Sequence, residues 1–248
     1  MRRRIAISLA VIILSAGGTF AQLPPRERAM TAYRAGLDHM RAESFDDAEK
    51  AFQAAVDIDP TFEMAYYMLG RAQMPQKEFV NAAASFARAR ALYLSAAGQR
   101  FSSTQEAQRY RRDRLMELDE VIRQMQSGPQ TQQVLFQLRQ LNERKRLLQE
   151  AIQRGVDVSI TTNVPSYVSL SLGSAHFRSG NMVEAEKFYK EAIAADNRAG
   201  EAHSNLAVVY METGRLTEAE KSVQAAEKVG FRVQPALKEE IQRRKRGT

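Results

Sequence analysis

All-α, with helices paired into a solenoid, is the architecture this sequence points to. Three observations carry that reading. Glycine and proline are scarce, 13 and 7 among 248 residues, which favours long helices. Apolar residues recur three and four apart within successive segments, as a helix with one buried face requires. Small and aromatic residues also recur 34 apart. Gly36 and Gly70, Ala48 and Ala82, Phe52 and Phe86, and Ala55 and Ala89 stand at that interval. So do Leu172 and Leu206, Gly173 and Ala207, Gly180 and Gly214, Ala185 and Ala219, and Ala192 and Ala226.

Residues 1–21 come first: Arg2, Arg3 and Arg4, an apolar run from Ile5 to Leu14, then small residues ending in Thr19-Phe20-Ala21. This is the layout of a secretory signal peptide cleaved after Ala21. The alternative is an uncleaved anchor, although the apolar run is shorter than the ~20 residues of a spanning helix. The chain from Gln22 is therefore expected in the periplasm or outside the cell.

The 34-residue register divides 22–96 into repeats 29–62 and 63–96, and 166–233 into repeats 166–199 and 200–233. Each predicts two amphipathic helices and a short turn, such as Ser179-Gly180-Asn181 or Thr213-Gly214-Arg215. Gly36, Gly70, Gly173 and Ala207 sit where the first helix crosses the second closely. Ala48, Ala82, Ala185 and Ala219 return the approach, and Phe52, Phe86 and Tyr189 fill the gaps. A single pair cannot bury its apolar face, so neighbours stack. Pro60 closes the second helix of the first repeat, since proline cannot continue it.

The register breaks over 97–165. Leu115, Leu118, Ile122 and Met125 form one apolar seam, and Val134, Leu138, Leu141, Leu148 and Ile152 a second. Such coiled-coil-like stripes predict antiparallel helices over 104–126 and 130–154, turning at Ser127-Gly128-Pro129. Lys145 interrupts the seam, and Val156 to Val164 reads as an extended linker. Two readings stay open: a spacer that holds the repeat pairs apart, or an arm that binds a partner or a second copy. In 234–248, Leu237 and Ile241 predict a capping helix, followed by Arg243, Arg244, Lys245 and Arg246 as a solvated, frayed basic end.

The repeats resemble the tetratricopeptide repeat, most clearly over 200–220, GlyGluAlaHisSerAsnLeuAlaValValTyrMetGluThrGlyArgLeuThrGluAlaGlu. There are departures. Of the four places where the family has tryptophan or tyrosine, Tyr66 keeps it and Ala32, Ser169 and His203 do not; Glu43 and Lys77 replace the turn glycine, and Asn197 replaces the closing proline. The resemblance implies that the first helices line a concave, partner-binding face. Residues then expected in that groove are Met30, Tyr33, Leu37 and Met40, then Tyr67, Arg71 and Met74. From the second pair come Tyr167, Leu170, Phe177 and Arg178, then Asn205, Val208 and Met211. Methionine suits an adaptable surface for a helix or apolar peptide. Leu170 and Ser174 stand where a carboxylate clamp would want lysine and asparagine, which speaks against a clamp.

Chemistry is hard to place in this chain. With no cysteine there is no disulfide, thiol nucleophile or Cys-anchored lipoprotein. The three histidines, His39, His176 and His203, match no ligand spacing, and no nucleophile elbow or phosphate-cradling loop occurs. No catalytic residue, cofactor or metal is therefore expected. The net charge of +7 suggests an anionic partner until it is partitioned. Without Arg2, Arg3 and Arg4 the chain has 33 basic and 29 acidic residues, and without the basic tail 29 of each. Nucleic acid is not expected. The reading is an exported, non-enzymatic interaction module, a scaffold or assembly factor. The alternative is a structural envelope protein that dimerises through the hairpin.

Overall fold

The structure is a computed structural model that describes residues 25–97, 104–127, 132–154 and 164–247. The signal-peptide reading of 1–21, the Ser127-Gly128-Pro129 turn beyond Ser127, and the linker up to Asn163 lie outside the described residues. Eleven helices follow in order among the described residues. They are α1 (Pro25–Arg41), α2 (Phe45–Ile58), α3 (Glu63–Gln73), α4 (Phe79–Ala97), α5 (Thr104–Ser127), α6 (Gln132–Arg154), α7 (Ser166–Arg178), α8 (Met182–Ala195), α9 (Gly200–Glu212), α10 (Leu216–Lys228) and α11 (Pro235–Arg246). None of the described helices is long and apolar enough to cross a membrane.

Four pairs, α1–α2, α3–α4, α7–α8 and α9–α10, share one internal geometry. A Cβ placed on Gly36 would lie 2.6 Å from the Phe52 ring, on Gly70 2.7 Å from Phe86, and on Gly173 2.7 Å from Tyr189. The first helix thus offers bare backbone where the second offers a large ring. In α9–α10 the same two places hold Ala207 and Val223, both buried in one cluster. Burying each such ring contributes roughly 1.5–3 kcal/mol.

The turns are also alike. Ser44 N–H donates to the His39 carbonyl (2.9 Å), Glu78 to Gln73 (3.1 Å), Asn181 to His176 (2.8 Å) and Arg215 to Tyr210 (2.8 Å). This closure needs a left-handed residue just past the helix. Gly180 and Gly214 supply it at φ 86° and 76°, but Glu43 and Lys77 occupy it at φ 56° and 64°. The turn therefore survives without its glycine, at a steric cost. Three of the second helices then start on acidic first turns, Asp46 and Asp47 in α2, Glu184 in α8 and Glu218 in α10, where the positive helix end favours them; α4 has none. Asn181 also caps α8 by accepting from Glu184 N–H.

The repeat pairs are not held apart. Helix α4 packs directly on α7. Ala82, Ala83 and Phe86 share one core with Leu172, Ala175 and Phe188. Arg90 donates Nε and Nη2 to the two Glu191 carboxylate oxygens (2.7 and 2.8 Å), and Ser169 donates to the same carboxylate (2.8 Å). Burial alone would raise the Glu191 carboxyl, but the bonds from Arg90 and Ser169 bring it below the usual carboxylate range. The spacer reading of the hairpin is thereby overturned: the solenoid stacks through the joint, and α5–α6 leaves and rejoins it there.

The hairpin closes its own seam. Ile122 and Leu138 are buried, and the other seam residues are half-buried. Lys145, the interruption, pairs with Asp119 across it (2.5 Å). Its base is tied to the solenoid. Arg111 is buried, and Arg114 pairs with Glu63 at the start of α3 and lies 4.8 Å over the Tyr93 ring of α4. Glu63 also receives Arg26, which bonds Asp59 as well (2.6 Å). Asp59 is lowered despite its burial, because Thr61 and Arg26 hydrogen-bond it.

Helix α11 seals the far end, with Ile241 buried and Leu237 packed on the last repeat. The frayed-tail expectation fails here. The helix runs to Arg246, Arg244 donates to the Met211 carbonyl (3.2 Å) and pairs with Glu212, and Lys245 pairs with Glu220 (2.7 Å). The basic end has acidic partners in repeat 200–233, so part of its charge is neutralised in place.

Candidate functional site

First helices of all four pairs contribute to one open groove of about 740 Å³. Met40 of α1, Arg71 of α3, Phe177 and Arg178 of α7, and Asn205 and Val208 of α9 line it, with Met74 just past α3. The register puts them there: successive first helices repeat the same rotation, so one side-chain stripe faces the same way in each. Stacking across the α4–α7 joint makes the stripe continuous. Had the hairpin separated the pairs, the groove would be two halves.

The other residues expected in the groove lie elsewhere. Tyr33 and Leu37 are each only 2% exposed and fill the core with Phe52 and Phe62. Met211 is buried between α9 and the cap, and Leu170 packs on the same cluster. Tyr67 and Tyr167 meet edge-on at 4.9 Å, beside Phe86 and Tyr93, and so build the joint between pairs. Met30 packs on the first core. In each case a neighbouring helix covers the side of the first helix that carries the residue.

Phe45 and Phe79, at the starts of α2 and α4, were missed by sequence reasoning and line the groove, together with Glu43 and Pro75 of the turns. The signal was present: Phe45 and Phe79 stand 34 apart, and Met182 and Leu216 hold the same register position in the second pair. Tyr189 and Ser174 form part of the wall, where the Tyr189 hydroxyl donates to Ser174 Oγ (3.3 Å). Burial pushes the Tyr189 phenol up to about 12, so it stays a neutral donor. Arg178 lies 5.1 Å over the Phe79 ring. His176 stacks on Phe188 at 5.5 Å and is lowered by burial, which suits a packing role. No group of three or more His, Asp or Glu side chains among the described residues is arranged to hold a metal ion.

Stacked helix pairs with a groove along their first helices define a helical-repeat scaffold. One tetratricopeptide repeat model matches residues 33–98 and 144–199, and a second matches 176–232, together more than half of the chain. The chain belongs to the tetratricopeptide repeat family, whose members bind protein or peptide partners. The match at 144 begins within α6, before the repeat that opens at α7.

No curated protein matches the chain. Among solved structures it is similar to PilW, described as a widely conserved type IV pilus biogenesis factor, at 17% identity and TM-score 0.40, covering 89% of this chain and 87% of that one. A thermophilic tetratricopeptide repeat protein of Thermus thermophilus matches at 18% identity and TM-score 0.35, covering 87% and 98%. YrrB, described as having an unusual peptide-binding site, matches at 16% and 0.31, covering 87% and 92%.

Proposed function

We propose that this protein is exported and non-enzymatic, and that it holds a partner polypeptide in its groove as a scaffold or assembly factor of the periplasm or cell envelope. The supporting observation is the groove wall. Met40, Met74, Phe177 and Val208 stay half-buried and open to the groove after every neighbouring helix has packed. Apolar surface left in a concave stripe marks an interaction site. Export is supported by the Arg2-Arg3-Arg4, apolar-run and Ala21 layout. A groove over four helix pairs buries limited area, so micromolar affinity is expected for a short segment.

The test is crosslinking of the mature protein in its own cells, with wild type compared against the double variant Met74→Ala, Phe177→Ala. Capture of the crosslinked partner should fall by about tenfold or more, the loss of roughly 1.4 kcal/mol or more of binding. The melting curve should stay cooperative. Unchanged capture refutes the groove as the binding site.

A further inference from the structure

The groove wall carries charges that no ion pair of the described residues neutralises. Arg71 and Arg178 are exposed, and among the described residues neither forms an ion pair. Arg26, Arg90, Arg114 and Arg215, by contrast, all pair with carboxylates of the scaffold. Arg178 is held against the wall by the Phe79 ring, 5.1 Å away, which leaves its guanidinium edge free to donate. Asn205, on the next first helix, lines the same space. One carboxylate, Glu43, lines the same groove, and it too forms no ion pair among the described residues. The remaining wall is chiefly Met, Phe and Val.

We propose that the groove takes a peptide segment that mixes acidic with large apolar side chains. Its carboxylates sit on Arg71 and Arg178, and its apolar groups sit among Met74, Phe177 and Val208. This rests on the reading of the groove as a peptide site and adds the chemistry of the ligand. A guanidinium can meet a carboxylate with two parallel hydrogen bonds, so each arginine fixes position as well as charge. Glu43, at the first-repeat end, repels an acidic group placed there and so favours acidic groups at Arg71 and Arg178.

Fluorescence anisotropy on the mature protein tests this, with three labelled synthetic peptides. The first alternates Asp and Glu with Leu and Phe, the second replaces the acids with Lys, and the third replaces the apolar residues with Ser. The first should bind at least roughly tenfold tighter than either other, and more weakly as salt is raised. The double variant Arg71→Glu, Arg178→Glu should reverse the preference to the Lys peptide. Both arginines are exposed and form no ion pair among the described residues, so melting of that variant should stay cooperative, with only the small loss from the Arg178–Phe79 contact and from placing Glu in the last turn of two helices. Equal binding of the acidic and basic peptides, or an unchanged preference in the charge-reversed variant, overturns the proposal. If that happens while Met74→Ala, Phe177→Ala still abolishes binding, the groove reading survives and only the acidic ligand falls. If the apolar double variant changes nothing for any peptide, both fall.

Discussion

The N-terminal and C-terminal repeat pairs build one geometry from different parts. In the first pair, both crossings set a phenylalanine ring on bare glycine, Phe52 on Gly36 and Phe86 on Gly70. The second pair sets Tyr189 on Gly173, then uses Ala207 with Val223. What the crossing requires is a near-constant sum of volumes across two helices. The turns differ in the opposite sense. The second pair has glycine at the left-handed position, whereas the first forces Glu43 and Lys77 into it and still makes the same hydrogen bonds. The first pair therefore carries backbone strain that the second avoids.

The sharpest way to break the comparison is at a crossing. Gly70→Ala would drive a Cβ into the Phe86 ring and should cost about 1–3 kcal/mol. Adding Phe86→Val reproduces the Ala207–Val223 combination. If summed volume is the rule, a double-mutant cycle by denaturant unfolding should show at least roughly 1 kcal/mol of favourable coupling. Additive losses would mean that the glycine itself is required.

A smaller effect is expected at the joint that makes the two pairs one body. The folded-state pKa of Glu191 is lowered, so its contribution is present above the unfolded carboxylate value. It is lost as pH falls through the lowered one. Arg90→Ala should remove that stabilisation and flatten the acid side of the stability–pH profile. Equilibrium unfolding across the acid range reads this out, and an acid limb as steep as wild type would show that the Arg90 pair does not clamp the joint.

The smallest effect concerns the turns. Glu43→Gly and Lys77→Gly should each stabilise by about 0.5–1 kcal/mol, since they relieve a left-handed non-glycine but loosen the unfolded chain. Gly180→Ala and Gly214→Ala should lose about the same. No atom lies within 4 Å of a Cβ at either glycine, so the loss would be purely conformational. Thermal melts of the four variants suffice, and destabilisation by Glu43→Gly would remove the strain argument.

Half of the groove was legible in the sequence. Met40, Arg71, Met74, Phe177, Arg178, Asn205 and Val208 were reachable because the resemblance to the tetratricopeptide repeat implies that the first helices line the concave face. Leu37 and Met211 hold the same register positions as Arg71 and Phe177, but neighbouring side chains cover them: Leu37, like Tyr33, lies in the core with Phe52 and Phe62, and Met211 lies in the cluster that Ile241 of the cap completes. Helical periodicity locates a face but not what packs on it, and that packing decides between wall and core. The basic end misled for a related reason: its acidic partners, Glu212 and Glu220, lie on earlier helices that α11 must fold back to meet.

Properties set by short-range spacing were determined by the sequence alone: where helices pair, which small residue faces which ring, and where the repeat breaks. Those are steric demands between residues one or two helices apart, and they repeat along the chain. Only the tertiary structure decided that α4 meets α7 across the whole hairpin and that the groove is continuous. It also decided that, among the described residues, Arg71 and Arg178 stay without an ion pair while Arg90 does not. Burial and charge pairing are properties of neighbours in space, and these neighbours come from segments far apart in the chain that share no periodicity.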